Sequence, residues 1–571
     1  MKKSMKLATF TALTALCGSL MAQTASFNIS KLPFEVESLM NSDKSPNLSK
    51  IRSLCHNLTD TDISRIGKYA YPKRRKAVKR HIKNLCEDIE LKAWQNKSLD
   101  TKEINHLFEL NLLKKSFAQK AKDDTLGMTA VHKIKMGLNS ISTPFLFTFK
   151  KKITNKEAMN LDLNKLYSEY SIDQLASFDP KDSPYYSNNS TGIDLHKRFK
   201  ALAKKKKIKP ADENMVLIFK GVSDSGSAPK IKTMDINLDD EWSLKWGDEL
   251  HTDAVGSRIF AALGFDVDHP YYRKKDSVTV VFPLIDGIEK NHKEMVQTVK
   301  NNFSINIEKY ISKSGVVNES DIRDNPRLAN HLGLSFVTFV ECAIEGRPDR
   351  VKRLGPLMSN SLFNRNRREL RGALLAHLWI DNWDTRAENT MMAINHQGKR
   401  VYKSTGVFSD LGTSLGVKVN FLPVDFRVGL VNHFKWDILK KKTKNKVKLI
   451  GQINAFLPTY KSATFSDMKW MATKIAKINK VSLNKILDKS GWPKGLQKLY
   501  FHKLASRRAQ LLEAFDVKDI NPIKFDRNFS YEKNGVTYIK KGVLIKDFNK
   551  DKHPLGYLNP FGRLRNYGGT K

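Results

Sequence analysis

The most informative part of the chain reads HLWIDNWDTRAEN at residues 377–389 and FSDLG at residues 408–412. These stretches contain Asp384, Asn389 and, beyond two short apolar runs, Asp410. This order suits phosphoryl transfer, in which one aspartate accepts a hydroxyl proton while an asparagine and a second aspartate bind the magnesium that bridges the ATP phosphates. The spacing therefore predicts a site with one catalytic carboxylate, two metal ligands, and ATP and Mg²⁺ as cofactors.

The sequence around this stretch predicts a local structure that can hold such a site. A leucine-rich helical pattern precedes it, and two strands are predicted after it, at Met391–Ile394 and Val401–Phe408, with NHQG as the hairpin turn. Arg386 follows Asp384 by two residues, and we assign both to the catalytic group, with the arginine neutralising charge beside the carboxylate.

In a second region, between Pro210 and Gly287, the spacing of apolar residues changes from a helical period to one typical of short strands. Three closely spaced strands predict a small antiparallel sheet, and one amphipathic helix follows them. The predicted elements are the strands Met215–Lys220, Lys230–Ile236 and Trp242–Trp246, the helix Glu249–Leu263 with Gly264 at its C-terminal cap, and the strand Val278–Ile285.

Four residues of this second region are candidates for nucleotide binding. Lys245 lies on a strand that a helix follows at once, so it can reach the α- and β-phosphates. Asp253 on that helix, or alternatively Glu249, can hold the lysine in place. The loop GVSDSGSAPK contains Gly226 and Ser227, whose backbone N–H groups can approach phosphate oxygens.

Simpler roles are open for the same residues. Asp384 and Asn389, taken alone, fit a helix cap and a turn. Asp253 can instead pair with Arg258 or cap a helix, and Lys245 can be an ordinary lysine on an exposed edge strand. The loop between the first two strands can be an ordinary polar hairpin loop.

The pattern NxDxRxxN at residues 382–389 resembles the Asn-x-Asp-x-His-x-x-Asn loop of the HipA-like toxin kinases, and the related Asp-Arg-His-x-x-Asn loop of the phosphatidylinositol kinases. The segment DAVGSRIFAALG at residues 253–264 is similar to the Glu-x-x-x-x-Arg-Leu-x-x-x-Leu-Gly helix of HipA-like proteins. The resemblance covers residues 210–420. It implies an atypical bilobal kinase fold, with ATP bound between the lobes and Mg²⁺ held by Asn389 and Asp410.

The chain departs from these patterns at three positions. Arg386 stands where the HipA-like loop has histidine, and Asp253 stands where the HipA-like helix has glutamate. Asp410-Leu-Gly also lacks the second acid of the Asp-x-Asp found in that family.

The start of the chain predicts export. Lys2, Lys3 and Lys6 precede an apolar run from Leu7, and Ala22 is a small residue suited to cleavage, as in a Sec-type signal peptide of a bacterial protein. We therefore expect a periplasmic or secreted protein with no integral membrane span after cleavage. Three cysteines follow the signal, too few for a disulfide scaffold. Cys55 and Cys86 can form one bridge in an oxidising compartment or remain separate buried thiols.

The chain is strongly basic. Lys and Arg number 99 against 59 Asp and Glu, a formal net charge of +40, and loss of the three signal lysines leaves +37. This excess favours anionic partners, such as nucleic acid, phosphorylated ligands or an acidic membrane surface. Zinc-finger spacings and RNA-recognition signatures are absent from the sequence, so it indicates no particular polymer.

These patterns predict an α+β protein with a bilobal kinase-like core, made of a small antiparallel sheet lobe with one helix and a larger, mostly helical lobe. The predicted divisions are a signal peptide at 1–22, a helical N-terminal domain at 23–195, the small lobe at 196–287, the large lobe at 288–525, and a hairpin with a basic tail at 526–571.

The predicted function is that of an exported atypical kinase that transfers the ATP γ-phosphate to a hydroxyl of a protein, lipid or carbohydrate. The alternative is a catalytically inert kinase-like module, or a basic protein that binds an anionic polymer such as nucleic acid or lipopolysaccharide.

Overall fold

A computed structural model of the chain divides into two compact units, residues 1–127 and residues 128–571. The predicted signal peptide, the helical pattern at residues 104–113 and the basic tail beyond residue 538 lie outside the described residues. Besides a few single positions between 39 and 204, the structure describes residues 47–60, 145–152, 214–223, 229–236, 240–247, 249–273, 278–285, 288–289, 292–303, 306–348, 351–356, 367–386, 389–396, 402–421, 424–431, 433–453, 458–533 and 536–538.

The first unit contributes one helix and one covalent link to the description. Helix α1 (Leu48–Asp60) carries Cys55, which forms a disulfide with Cys86 at a Cα–Cα distance of 5.9 Å. Of the two alternatives left by the sequence, the structure has the bridge. Cys342, in the second unit, is a buried free thiol.

The second unit contains helices that are almost all longer than one turn. In chain order they are α2 (Glu249–Leu263), α3 (His292–Phe303), α4 (Glu319–Asp324), α5 (Arg368–Ile380), α6 (Pro458–Lys461), α7 (Phe465–Ala476), α8 (Lys480–Leu487) and α9 (Lys494–Ala514). None of the described helices combines the length and the apolar composition that a bilayer crossing requires.

The strands of the second unit are spread along its whole length. They are β1 (Phe145–Lys150), β2 (Met215–Val222), β3 (Lys230–Asp235), β4 (Asp240–Lys245), β5 (Asp266–Val267), β6 (Pro270–Arg273), β7 (Val278–Val281), β8 (Leu284–Ile285), β9 (Ile288–Glu289), β10 (Ile311–Val316), β11 (Ser335–Phe339), β12 (Cys342–Pro348), β13 (Val351–Pro356), β14 (Thr390–His396), β15 (Tyr402–Phe408), β16 (Lys418–Phe421), β17 (Val424–Arg427), β18 (Leu439–Lys442), β19 (Lys446–Gly451), β20 (Tyr531–Lys533) and β21 (Val536–Tyr538).

The mixture of sheets and helices confirms the α+β class. The largest sheet has the order β10-β11-β7-β2-β3-β4-β12-β6. Strand β2 runs parallel to β7 and antiparallel to β3. The predicted strands of β2, β3 and β4 are confirmed, as are the hairpins β14–β15 and β20–β21. The strand predicted over Val278–Ile285 is confirmed only in its first half, because β7 ends at Val281 and β8 pairs with β9 in another sheet. Helix α3 covers one face of this sheet with Met295, Val296 and Val299, which join its apolar core. Burial of such aliphatic side chains stabilises the fold by roughly 1.5–3 kcal/mol each.

Two expectations about segment type were wrong. Residues 288–525 were expected to be mostly helical outside one hairpin, but β10, β11 and β12 lie there and belong to the large sheet, which therefore continues past residue 287. Residues 145–150, assigned to a helical domain, form β1, because FLFTFK alternates with a period of two and buries Phe147 and Phe149 on one face.

Every residue of helix α2 is buried, whereas the sequence predicted one apolar face. As expected, the helix is followed by Gly264. The φ of Gly264 is +113°, which would strain any other residue, and a Cβ added there would overlap the ring of Tyr186. Strand β5 follows at once and pairs in parallel with β15, which places the end of α2 beside the second strand of the predicted hairpin.

Helices α5, α7 and α9 pack together around four buried basic residues and one buried acid, here called the cationic layer: Arg371, Lys503, Arg507 and Arg508, with Asp467. Arg371 donates to both oxygens of Asp467, at 2.7 and 2.9 Å. Arg508 pairs with the more exposed Asp519 and also donates to carbonyls at the end of α7. The layer therefore joins helix ends by satisfying backbone oxygens that lack a partner within their own helix.

Candidate active site

The centre of the candidate site is the ammonium group of Lys245, at the end of β4. Its Nζ lies 2.6 Å from Oε2 of Glu345, 3.9 Å from Oδ2 of Asp253 and 3.9 Å from Oδ1 of Asp410. We call these four residues the lysine cluster. Their carboxylates come from a strand, a helix and a loop that are far apart in sequence, so the cluster exists only in the folded chain.

Glu345 was not identified from the sequence, although it is the nearest acid to the lysine. Strand β12 pairs antiparallel with β4 in a register that sets Ala343 opposite Lys245 and Glu345 opposite Ser243. Directly opposite residues share a face of a sheet, so Glu345 is the diagonal neighbour of Lys245, within reach of two long side chains. Glu345 therefore enters the lysine cluster through the register of β12 on β4, two strands that are far apart in the sequence.

The charges of the cluster shift one another's protonation. Burial alone would lower the pKa of Lys245, but the carboxylates of Glu345, Asp410 and Asp253 raise it above its ordinary value, so the amine stays charged. Burial raises the pKa of Asp253 to about 7, and the nearby lysine only partly opposes this shift. The cluster therefore holds one cation among acids that exceed it in number.

Asp253 does not form its ion pair with Arg258, which was the simpler alternative. The guanidinium of Arg258 donates to the carbonyls of Ala254, at 2.7 Å, and Pro270, at 3.2 Å, and lies 4.1 Å from the ring centre of Phe199. Burial lowers the pKa of Arg258 to about 10. The arginine therefore stabilises the packing of α2, while the aspartate faces the lysine.

Asp410 stands where β15 gives way to a tight loop. Its φ is 54°, a left-handed conformation that aspartate tolerates better than most residues, and 49% of its side chain is exposed. Two residues later, Gly412 lies so close to α2 that a Cβ would come within 2.9 Å of Cβ of Glu249, and its carbonyl accepts from the hydroxyl of Thr252. The glycine permits this close approach, which fixes Asp410 at an open edge of the lysine cluster.

The loop that carries Asp384 is joined to the Asp410 loop by backbone hydrogen bonds. The amide of Trp383 donates to the carbonyl of Thr413 at 2.8 Å, and the amide of Ser409 donates to the carbonyl of Asn389 at 2.9 Å. Trp383, next to Asp384, is therefore bonded to the Asp410 loop, and Ser409, next to Asp410, is bonded to Asn389.

Asn389 closes its own loop through its side chain. Its Nδ2 donates to the carbonyl of Asp384 at 3.1 Å. The amide nitrogen is used in this way, so the amide oxygen is the atom with which Asn389 can bind a cation.

Asp384 is paired with the arginine that the sequence placed beside it. Arg386 donates to both carboxylate oxygens, each at 2.7 Å, in the bidentate geometry that arginine and carboxylate favour. The carboxylate is largely buried, whereas 41% of the arginine side chain is exposed. The arginine therefore covers the aspartate from the solvent side.

Behind the loop, His377 is a neutral, structural residue. Burial lowers its pKa to about 3, against the opposing influence of Asp384, and its Nδ1 lies 2.9 Å from Nδ2 of Asn382. The rings of Phe260 and Phe408 pack on it. The neutral histidine and the two phenylalanine rings therefore form an uncharged packing surface under the loop.

The end of α5, just before the loop, is held by Arg507. Its Nη2 donates to the carbonyl of Leu378 at 2.5 Å, and its Nε donates to that of Trp379 at 2.9 Å. Asp381 follows in a left-handed conformation, with φ of 53°, and its carboxyl accepts from the backbone amide of Gln452. Arg507 is a positioning residue that the sequence did not identify, because α9 is buried on most sides and shows no apolar stripe.

The predicted site residues thus fall into three groups. Lys245, Asp253 and Asp410 meet in the lysine cluster, and Asp384, Arg386 and Asn389 form the adjoining loop. The third group is Gly226 and Ser227, which lie outside the described residues.

The arrangement suits a metal ion that is shared with a ligand better than one held by protein alone. Among the described residues, no group of three or more His, Cys, Asp or Glu side chains is placed to hold a metal ion. Magnesium commonly takes one or two protein oxygens and completes its shell with phosphate and water. The exposed carboxylate of Asp410 and the amide oxygen of Asn389 fit that demand.

Comparison of this chain with protein-family models, with curated proteins and with solved structures found no match.

Proposed function

We propose that this protein is an ATP-dependent phosphotransferase with a bilobal, kinase-like arrangement of the large sheet and the helices α5, α7 and α9. The observation that carries the proposal is the meeting of Lys245 and Asp253, which the sequence assigned together to nucleotide binding, with Asp410, which it assigned as a metal ligand from a distant segment. A buried lysine with acids on a neighbouring helix and an exposed loop is the charge pattern that binds phosphates together with a divalent cation.

In this proposal each residue has one task. Lys245 contacts the phosphates, and Asp253 with Glu345 holds its ammonium group in position. Asp410 and Asn389 bind Mg²⁺, which neutralises charge on the transferred phosphate. Asp384 orients the acceptor hydroxyl and takes its proton.

The acceptor in this proposal is a hydroxyl of a protein, lipid or carbohydrate. The signal-like start of the chain supports action outside the cytoplasm, either in the periplasm or after secretion. Because ATP is scarce there, we propose that the protein acts where a target cell supplies the nucleotide.

One observation favours a second function, a kinase-like module that binds nucleotide without transferring phosphate. Arg386 occupies both carboxylate oxygens of Asp384, so the proposed base must leave this pair before it can accept a proton. In an inert module the pair persists, and the lysine cluster alone binds Mg·ATP.

The experiment is incubation of the purified protein with γ-labelled ATP, magnesium and a cell lysate, together with a thermal-shift measurement with Mg·ATP. We expect labelling by the wild type and none by Asp384→Ala, because the base is lost while the lysine cluster is intact. We expect Asp410→Ala to lose both labelling and the Mg·ATP shift. Asp324→Ala, which removes an exposed aspartate on α4, is the matched control and keeps both.

The outcomes separate the candidates. A Mg·ATP shift without labelling supports the inert module. Undiminished labelling by Asp384→Ala refutes the role of Asp384, and a wild type that Mg·ATP does not stabilise refutes both functions.

A further inference from the structure

The three-stranded sheet β1-β19-β18 has two faces of opposite character. On the inner face Phe147, Phe149, Val447 and Leu449 are buried. Phe149 meets Phe515, just beyond α9, edge to face at 5.7 Å between ring centres. The inner face therefore fixes this sheet to the helical part of the unit, which makes the outer face a rigid platform.

The outer face presents lysines in opposed pairs. Lys150 on β1 lies opposite Lys446 on β19, and Lys448 on β19 lies opposite Lys441 on β18. We call these four residues the lysine face. The segments FLFTFKKK (145–152) and LKKKTKNKVKLIG (439–451), which build the sheet, contain no acidic residue.

Directly opposed like charges destabilise a sheet, so this pattern is not explained by the stability of the fold. The ion pairs described at this sheet join Asp516 to Lys151 and to Lys442, at 2.7 and 2.6 Å. These two pairs lie at the margin of the sheet and use Lys151 and Lys442, not Lys441, Lys446 or Lys448 of the lysine face.

We propose that the lysine face docks on the surface of a membrane that contains anionic lipids. A group of four or more lysines on one side of a protein is the charge density with which proteins bind acidic headgroups. This inference does not depend on the proposed phosphotransferase activity.

Two further observations favour a lipid surface over a nucleic acid. Leu146, with 50% of its surface exposed, and the half-buried Ile450 stand directly opposite each other on the outer face. An apolar pair of this kind gains by entering the headgroup region, and it gains nothing from a phosphate backbone. The segments also contain lysine and no arginine, whereas arginine is preferred for directed phosphate and base contacts.

The test measures partition of the full protein onto vesicles of equimolar phosphatidylglycerol and phosphatidylcholine, and onto vesicles of phosphatidylcholine alone. We expect binding to the anionic vesicles only. The triple variant Lys441→Gln, Lys446→Gln, Lys448→Gln should lower the partition coefficient about a hundredfold, at about fivefold for each lysine.

A matched control removes the same charge elsewhere. Lys293→Gln, Lys300→Gln, Lys480→Gln replaces three exposed lysines on α3 and α8, and its partition should stay within about threefold of the wild type. The control variant should keep the wild-type melting temperature, and the lysine-face variant should melt no lower than the wild type, because it relieves the opposed like charges. Leu146→Ser should lower vesicle binding about threefold and leave binding to a DNA duplex unchanged.

The proposal is overturned if the lysine-face variant loses no more vesicle binding than the control variant. It is also overturned if the wild type binds a DNA duplex with a steep salt dependence and the lysine-face variant loses that binding while retaining the vesicles. In that case the face binds nucleic acid.

Discussion

Among the described residues of the second unit, two groups of buried basic side chains are satisfied in opposite ways. In the lysine cluster one ammonium group is surrounded by the carboxylates of Asp253, Glu345 and Asp410. In the cationic layer most donors end on backbone carbonyls, as Lys503 does on those of Val431, at 2.6 Å, and Phe434, at 2.8 Å.

The difference indicates different purposes. Carbonyls are fixed dipoles, so the cationic layer locks backbone segments together, and its donors are used within the protein. The lysine cluster contains more acids than bases and ends at the exposed Asp410, so a divalent cation can compensate it. One arrangement stabilises the structure, and the other is suited to binding.

The largest expected effect is at the carboxylate of the cationic layer. Asp467→Ala leaves the buried Arg371 without its bidentate partner and removes the N-terminal cap that Asp467 shares with Thr464 on α7. We expect the free energy of unfolding to fall by about 4 kcal/mol, because an uncompensated buried charge is costly. Chemical denaturation measures it.

Asp488→Ala is the control, since it breaks an exposed pair with Lys494 and should cost less than about 1 kcal/mol. If Asp467→Ala lowers the free energy of unfolding no more than Asp488→Ala does, the carboxylate contributes little to the cationic layer. The buried arginines are then held by backbone carbonyls alone, and the layer differs from the lysine cluster even more.

The next effect is at the lysine cluster. Lys245→Met leaves Glu345 and Asp253 buried without their cation, and we expect a loss of about 3 kcal/mol near neutral pH. In the variant the folded-state pKa of Asp253, which burial already raises, loses the opposing influence of the lysine and rises further, so the folded chain binds more protons than the unfolded one. The loss should therefore shrink as the pH is lowered, which denaturation at several pH values detects.

Lys220→Met is the matched control, because this half-exposed lysine pairs with Glu241 at 2.9 Å near the surface. It should show a loss below about 1 kcal/mol with little dependence on pH. A loss in Lys245→Met that does not change with pH would mean that the acids are compensated by other groups.

A smaller effect, with the opposite dependence on pH, is expected at Lys503. Burial lowers its pKa from 10.5 to about 7, so between these values the unfolded chain binds a proton that the folded chain does not. Its contribution to stability is full above the unfolded value and is lost as the pH falls towards 7.

Lys503→Met removes this titration together with two hydrogen bonds, and we expect a loss of about 2 kcal/mol near pH 8. The difference in unfolding free energy between wild type and variant should grow as the pH rises. A difference that grows as the pH falls would show that Lys503 behaves like Lys245, and the comparison would fail.

The smallest effect is expected at Arg386. Its pair with Asp384 is solvent-exposed on the arginine side, so Arg386→Ala should cost no more than about 1 kcal/mol. Arg527→Ala is matched to it, because 40% of that arginine is exposed and it contacts Asp437 at 2.6 Å. A loss above about 2 kcal/mol for Arg386→Ala alone would make the arginine a structural support of the loop and not a removable cover.

Much of the local structure could be predicted from sequence because its patterns are short. Strands β2 to β4, helix α2 with its Gly264 cap, and the hairpin β14–β15 each show their period and turn residues within a few positions. For the same reason Lys245 and Asp253 could be chosen together, since one short stretch carries both.

What could not be predicted depends on pairings between distant segments. Glu345 enters the lysine cluster through the register of β12 on β4, and the sequence CAIEGRP, with its Gly and Pro, gives only a weak strand pattern. Arg507 reaches α5 from a helix whose charged residues are buried against carbonyls, which is the reverse of the usual rule for solvent and core faces.

Strand β19 joins two places that have so far been considered separately. It bears Lys446 and Lys448 at its start, and Gln452, just past its end, donates its amide to Asp381, three residues before Asp384. The two lysines and the contact that supports the turn before Asp384 therefore belong to one extended backbone segment, so a variant that displaces this strand would disturb both places at once.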